Sequence, residues 1–197
     1  MESDMADLLA LAALIIWPVI PLFWIPVHGA PQFFKRLGIM TYIMPLITWL
    51  PVAFLVYLGR AFLLHYKIDL PAIIQIIGIL LLLTGALLHI WTGKLLGIWG
   101  LMGLPEVSPK MKGELVEKGP FALIRHPTYL AHTMIFLGVF LMTGVIAVGV
   151  VTLLDCTAVN IAIIPLEERE LLARFNKSYK EYMGKVPRLF PRLFRFL

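Results

Sequence analysis

The sequence predicts an all-α, integral-membrane bundle of five transmembrane helices with a cytosolic loop and a C-terminal amphipathic helix. Three observations predict it. Apolar residues make up 60% of the 197 residues and charged residues only 15%, against about 45–50% and about 25% in soluble domains. Mean hydropathy is +0.88. Apolar runs recur at the roughly 20-residue length that crosses a bilayer. This composition excludes an ordinary soluble domain, a disordered chain and a disulfide scaffold. The lone Cys156 has no partner for an intramolecular disulfide. The formal net charge of +5 matches the basic cytosolic loops of membrane proteins and is not read as nucleic-acid binding.

The first span is expected over residues 5–27. Its flank carries Glu2, Asp4 and Asp7 and no basic residue, unlike a cleaved signal peptide, so the helix is read as retained. Pro18, Pro21 and Pro26 should kink it or break its end. The second span is expected over 38–58, with Pro45 and Pro51 inside it, and the third over 70–92. A polar, charged loop follows over 103–127. Residues 128–165 are then too long for one crossing, because a helix rises about 1.5 Å per residue. Two spans with a tight turn near Thr143-Gly144 fit better. With the N-terminus outside, 15 of the 17 basic residues fall on the inner side, leaving only Arg60 and Lys67 outside, as the positive-inside rule prefers.

Residues 166–183 change character. They are charged, with apolar Leu171, Leu172, Phe175, Tyr179, Tyr182 and Met183 at helical spacing, which predicts a cytosolic amphipathic helix. Gly184 is the expected cap and Pro187 the stop. The tail over 187–197 interleaves Arg188, Arg192 and Arg195 with Phe190, Phe194 and Phe196, a pattern expected to lie on anionic lipid.

Two polar clusters are candidates for chemistry. In the inner loop, Pro127 suits the first turn of the fourth span, so His126, Thr128 and Tyr129 sit at a helix N-terminus, where free N–H groups favour a carboxylate. The competing reading is that Arg125 and His126 only anchor the span at the headgroups. Glu167, Glu168 and Glu170 follow the fifth span. They are either a first-turn preference set by the helix dipole or a cation site at the membrane edge, with at least one glutamate facing the loop that carries His126. Asp155 lies inside the fifth span and either faces a partner, with His89 and His132 as candidates, or snorkels outward. Gly97, Gly100 and Gly103 have a spacing that suits helix packing. There is no dinucleotide fingerprint or phosphate loop, no zinc spacing and no nucleophile elbow.

The segment Arg125-His126-Pro127-Thr128-Tyr129, preceded by Gly113-Glu114-Leu115-Val116 and Gly119-Pro120-Phe121, resembles the cofactor signature of isoprenylcysteine carboxyl methyltransferases. So does the later run from Glu167-Glu168 through Phe175, Tyr179 and Tyr182 to Val186-Pro187. The resemblance covers residues 106–191 and extends to phospholipid N-methyltransferases. It implies a single membrane methyltransferase domain over 1–197, of prokaryotic type, with its cofactor-binding part over 103–191. S-adenosylmethionine would bind between the loop and the C-terminal helix, and a lipophilic substrate would enter from the bilayer.

Carried over by position, Glu106, Gly113, Glu114, Leu115, Val116, Phe121, His126, Pro127 and Tyr129 would line the cofactor pocket. Glu167 and Glu168 would close the substrate side. Ile163 stands where eukaryotic members have a substrate-carboxylate arginine, and Arg125 or Arg169 would replace it. The resemblance implies O-methylation of a prenylcysteine carboxylate. The alternatives are a phospholipid or thiol methyltransferase, a membrane sterol-type reductase using NADPH, and a non-enzymatic scaffold. The acceptor and the oligomeric state are not readable from the sequence.

Overall fold

A computed structural model describes residues 2–108, 110–111 and 113–191. Four helical stretches are long and apolar enough to cross a membrane: Asp4–Gly29, Pro31–Leu58, Ala72–Val107 and Ile146–Phe175. A fifth apolar helix, Pro127–Thr143, has 17 residues, the lower end of the spanning range of about 17–25. Together they form the expected membrane bundle.

Prolines divide the first two stretches. Helix α1 (Glu2–Ile16) passes into α2 (Val19–Gly29) across Trp17-Pro18. Helix α3 (Pro31–Leu37) reaches α4 (Met44–Leu58) through a 3-10 turn over Gly38–Ile43, so Pro45 opens α4 instead of sitting mid-span. The short α5 (Arg60–Leu63) ends this half. Helix α6 (Ala72–Leu101) runs well beyond the expected residue 92 and breaks at Gly97, where φ 68° and ψ 165° are open only to glycine. A further turn leads to α7 (Leu104–Val107).

Helix α8 (Pro127–Thr143) ends on Gly144, the tight turn the sequence indicates, and α9 (Ile146–Ala158) returns. That turn is braced by residues 66–68: Ile68 N–H donates to the Gly144 carbonyl at 2.9 Å and Ile146 N–H to the Tyr66 carbonyl at 3.0 Å.

Helices α6 and α8 approach most closely because glycines face each other. A Cβ on Gly138 would fall 2.6 Å from the Leu82 nitrogen, and one on Gly78 would fall 2.7 Å from the Met142 nitrogen. The expectation that Gly97, Gly100 and Gly103 serve helix packing is therefore corrected. Gly97 and Gly103 have positive φ and shape the chain's exit from α6; of the three only Gly103 packs on another span, where a Cβ would fall 2.5 Å from the Trp24 ring of α2, and the glycines between α6 and α8 are Gly78, Gly85 and Gly138.

The fifth span does not stop before the charged segment. Helix α9 continues through a π turn over Val159–Ile163 into α10 (Ile164–Phe175). Helical backbone angles run straight through Ile163 and Ile164, and Pro165 lacks only one donor, so the change in hydropathy at Leu166 leaves no break. The break comes at Asn176, whose φ is 47°, followed by α11 (Lys177–Lys185). The single amphipathic helix expected over 166–183 is thus two helices. Gly184 lies inside α11, and Val186 occupies the cap position.

Asp155 is also corrected. Trp17 Nε1 donates to its Oδ1 at 3.1 Å and Thr133 Oγ1 to its Oδ2 at 3.5 Å. His89 and His132 pair with each other instead, their ring centroids 4.9 Å apart.

Gly138→Leu is expected to wedge α6 from α8 and destabilise the bundle by about 1–3 kcal/mol or more, read as a lowered midpoint of denaturant unfolding in detergent. Gly184→Ala, with nothing within 4 Å of the added Cβ inside α11, is expected to raise that midpoint slightly, with about 0.4–1 kcal/mol of added stability.

Candidate functional site

One end of the bundle gathers the C-terminal parts of α2 and α6, the N-terminus of α8, and α10 and α11. The loop after α7 crosses this end. Leu115 packs with Leu171, Leu172 and Phe175 around buried Tyr179, Tyr182 and Val186. The apolar stripe predicted on the C-terminal segment therefore covers the loop. Tyr182 Oη donates to the Phe121 carbonyl at 2.6 Å. Arg125 N–H donates to the Pro187 carbonyl at 2.9 Å, and His126 N–H to the Arg188 carbonyl at 3.1 Å. The first part of the tail is thus folded onto the site, with Leu189 8% exposed, while Phe190 is 74% exposed. The remaining tail residues, Arg192, Phe194, Arg195 and Phe196 among them, lie outside the described residues, as does Lys112.

Glu168 is buried among cations. Arg125 Nε and Nη2 donate to its Oε1 at 3.0 and 2.6 Å, and Arg188 Nη2 donates to its Oε2 at 2.9 Å. His126 Nε2 lies 3.1 Å from Oε1, and His126 Nδ1 lies 3.4 Å from Oε2 of Glu167. Both glutamates therefore face His126. With both ring nitrogens turned to carboxylates, the His126 ring is not placed to take a ligand's carboxylate. Arg125 Nη1 is spent on the Val186 and Met183 carbonyls, at 2.5 and 3.3 Å.

A second network stands opposite. Arg174 Nη2 donates to Glu106 Oε1 at 2.9 Å and to Glu170 Oε1 at 2.7 Å, and Glu170 Oε2 lies 2.9 Å from His28 Nδ1.

Between the two networks is a cavity of about 840 Å³, within the roughly 300–1,000 Å³ of small-molecule sites. Of the residues singled out in the sequence, Glu106, Gly113, Glu114, Leu115, Val116, Phe121, Arg125, His126, Tyr129 and Glu167 line it. Pro127 and Glu168 do not. Pro127 is buried at the start of α8, and Glu168 holds Arg125, His126 and Arg188 from behind. Arg169 lines a separate, smaller cavity with Lys35 and Gln32.

Sequence reasoning missed Trp24 and His28 of α2, and also Arg174. Only Arg174 left a signal, an i,i+4 position to Glu170 on one helix face. Seven buried side-chain atoms lack a hydrogen-bond partner among the described residues: His28 Nε2, His89 Nδ1, Glu106 Oε2, His132 Nδ1, Glu167 Oε2, Arg174 Nε and Tyr179 Oη. Every one belongs to a residue that lines this cavity. The cavity also changes along its length. Past His89 and His132 it runs between α1, α6 and α8, against Leu9, Leu82, Ile135, Phe136 and Val139.

The sequence model of the phospholipid methyltransferase family matches residues 73–178. The chain is 33% identical over 114 residues to the cobalt-zinc-cadmium resistance protein CzcN of Cupriavidus metallidurans, covering 52% of each chain. It is 31% identical over 90 residues to the nickel-cobalt-cadmium resistance protein NccN of Alcaligenes xylosoxydans xylosoxydans, covering 46% of this chain and 42% of that one. It is 35% identical over 74 residues to methanethiol S-methyltransferase 2 of Bradyrhizobium diazoefficiens, covering 38% of this chain and 27% of that one. The chain spans about half the length, or less, of these curated relatives.

Arg125→Ala is expected to release residues 177–191, read as faster amide exchange there, and to destabilise by up to about 3–5 kcal/mol because a buried carboxylate loses its main partner. Arg125→Lys should fall between. A pH test follows from His126. Burial disfavours its charged form, but Glu167 and Glu168 outweigh this and hold its pKa above the ordinary 6.5. A raised folded-state pKa contributes stability that is fully present below the unfolded value of about 6.5 and is lost as pH rises through the folded value. The stability gap between wild type and His126→Gln should therefore be widest below pH ~6.5 and shrink at higher pH, measured by denaturant unfolding at a series of pH values.

Proposed function

The chain belongs to the phospholipid methyltransferase family, and from that premise we propose that it is an S-adenosylmethionine-dependent methyltransferase acting on a lipophilic acceptor drawn from the bilayer. The observation that carries this reading is the cavity itself: a polar end with unpartnered buried atoms continues into an apolar arm between membrane helices.

The polar end fits the methyl donor group by group. Glu106 Oε2 is free to accept from its ammonium or ribose hydroxyls or to face its sulfonium, Glu167 Oε2 can do the same with the lone pair not turned to His126, and Arg174 Nε is free to donate to its carboxylate. Leu115, Val116 and Phe121 offer apolar contact to a nucleobase. When bound, S-adenosylmethionine supplies an electrophilic methyl group on a sulfonium.

The protein's part is to hold, orient and dry the site. Helix α11 packs against Leu115 of the loop over 113–116 and so helps to wall the cavity. A closed, dry site favours a displacement in which charge disperses, and orientation of the reactants is worth about 7–11 kcal/mol. Glu168 and Arg188 stand behind the cavity wall and, with Arg125 at its edge, fix the His126–Glu167 pair that faces it. The apolar arm would hold the acceptor's lipid-like part, with membrane lipid as its surroundings. The positive-inside rule places this end of the bundle in the cytosol and the N-terminus outside.

Acceptors brought by the resemblance and the relatives are a prenylcysteine carboxylate, a phospholipid headgroup and a thiol, the last from methanethiol S-methyltransferase 2. The two resistance proteins carry metal names, yet no group of three or more His, Cys, Asp or Glu is placed to hold a metal ion among the described residues.

Calorimetric titration of the detergent-solubilised protein with S-adenosylhomocysteine tests the reading. Saturable binding is expected, weakened at least about tenfold by Glu167→Gln or Glu106→Gln, a loss of about 1.4 kcal/mol. At a hundredfold excess over Kd the ligand should stabilise the fold by about 2.7 kcal/mol. No heat with S-adenosylhomocysteine, or binding of NADPH in its place, would overturn the methyltransferase assignment.

A further inference from the structure

Two histidines stand in the membrane part of the cavity. His89 projects from α6 and His132 from α8, their rings 4.9 Å apart at a 42° tilt. Both line the cavity, and Nδ1 of each is buried without a hydrogen-bond partner.

Their place is set by a ladder of rings along α8. His126 and Tyr129 are 5.9 Å apart, and Tyr129 and His132 6.3 Å. The i, i+3, i+6 spacing keeps all three on one helix face. Before the pair, the cavity wall carries Glu167 and Glu106. Beyond it, α6 and α8 contribute Leu82, Ile135, Phe136 and Val139. The imidazoles thus mark the junction between polar end and apolar arm. Polar atoms buried there with no partner cost stability and return nothing to the fold, so a ligand group is their natural counterpart.

The cations around this cavity narrow what that group is. Arg125 is held by Glu168 and the Val186 carbonyl, and Arg174 by Glu106 and Glu170. The one guanidinium N–H left free among the described lining residues, Arg174 Nε, is already assigned to the methyl donor's carboxylate, so an acceptor carboxylate would have none of its own. It would also need no base, since a carboxyl group ionises at about 3.3–3.7. Unpartnered imidazoles with no cation to spare for the acceptor suit the opposite case: a neutral acceptor that must lose a proton to become a nucleophile. A thiol, ionising near 8.5, is such a group, and it is within reach of an imidazole base.

Resting on the methyltransferase reading, we propose that His89 and His132 form the acceptor subsite and that the acceptor is a lipophilic thiol. As the thiol's S–H bond breaks, the proton passes to a neutral imidazole of the pair. The acceptor sulfur forms a bond to the methyl carbon, the bond from that carbon to the sulfonium sulfur breaks, and S-adenosylhomocysteine leaves as a neutral thioether. The imidazolium returns its proton to water once the products depart.

The test uses the full-length protein in lipid nanodiscs with two thiols, 1-dodecanethiol, which is un-ionised at neutral pH, and 4-nitrothiophenol, which is already ionised. His132→Gln, His89→Gln and the double variant are expected to lower kcat on dodecanethiol by about 10²-fold or more, the usual worth of a general base, and on 4-nitrothiophenol by less than about threefold. A readout independent of turnover uses a third probe, unsubstituted thiophenol, whose ultraviolet thiolate band when bound should appear at a higher pH in the variants. Equal losses on both thiols, or an unshifted thiolate band, would overturn the base assignment. A wild-type protein that binds S-adenosylhomocysteine but methylates a farnesylcysteine carboxylate and neither thiol would overturn this inference while leaving the methyltransferase reading intact. Absence of S-adenosylhomocysteine binding would remove both.

Discussion

A buried carboxylate needs partners, and Glu168 draws them from three distant parts of the chain. Arg125 comes from the loop before α8, His126 from the start of that helix, and Arg188 from beyond α11. Removing such a charge from water costs so much that the arrangement adds little net stability, yet losing one member is severe. Its value is positional. With Glu168 satisfied in this way, the loop, the fourth span and the C-terminal segment have one mutual placement, and Glu167 on the next residue is presented to the cavity with His126 beside it.

The other half of the site rests on van der Waals approach. In lipid there is little hydrophobic force between helices, so spans associate where small residues let backbones meet. Gly78, Gly85 and Gly138 do this for α6 and α8, which fixes His89 against His132. The remaining walls are looser, and the space they leave is the apolar arm. The π turn at Val159–Ile163 links the halves. It adds a residue to one turn, so α10 is rotated by about 100° from where a regular helix would put it, and this helps to set the direction in which Glu167 and Glu168 point.

Much of this was legible in the residues. Apolar length gave the spans and glycine the turn at Gly144, because both depend on local chemistry alone. The loop and C-terminal motifs converge on one cavity, with Pro127 and Glu168 just behind its wall. Contacts between spans were not legible. Trp17 meets Asp155, and His28 meets Glu170, across more than a hundred residues of sequence, and hydropathy assigns no neighbour to an apolar helix. The packing glycines were sought near Gly97 because the spacing looked right there, whereas a positive φ at Gly97 serves the bend. The charged run after Leu166 read as a new helix, but main-chain hydrogen bonds take no account of polarity.

The pairing of Arg125 and His126 with Pro187 and Arg188 has a consequence for biosynthesis. While the ribosome is still delivering the residues after α11, all five spans are already made, yet the floor of the chamber lacks its last strap. A nascent chain at that stage offers Glu168 two cations instead of three. The chamber therefore takes its shape only once residues 187–188 have emerged, after every span that it joins has been made.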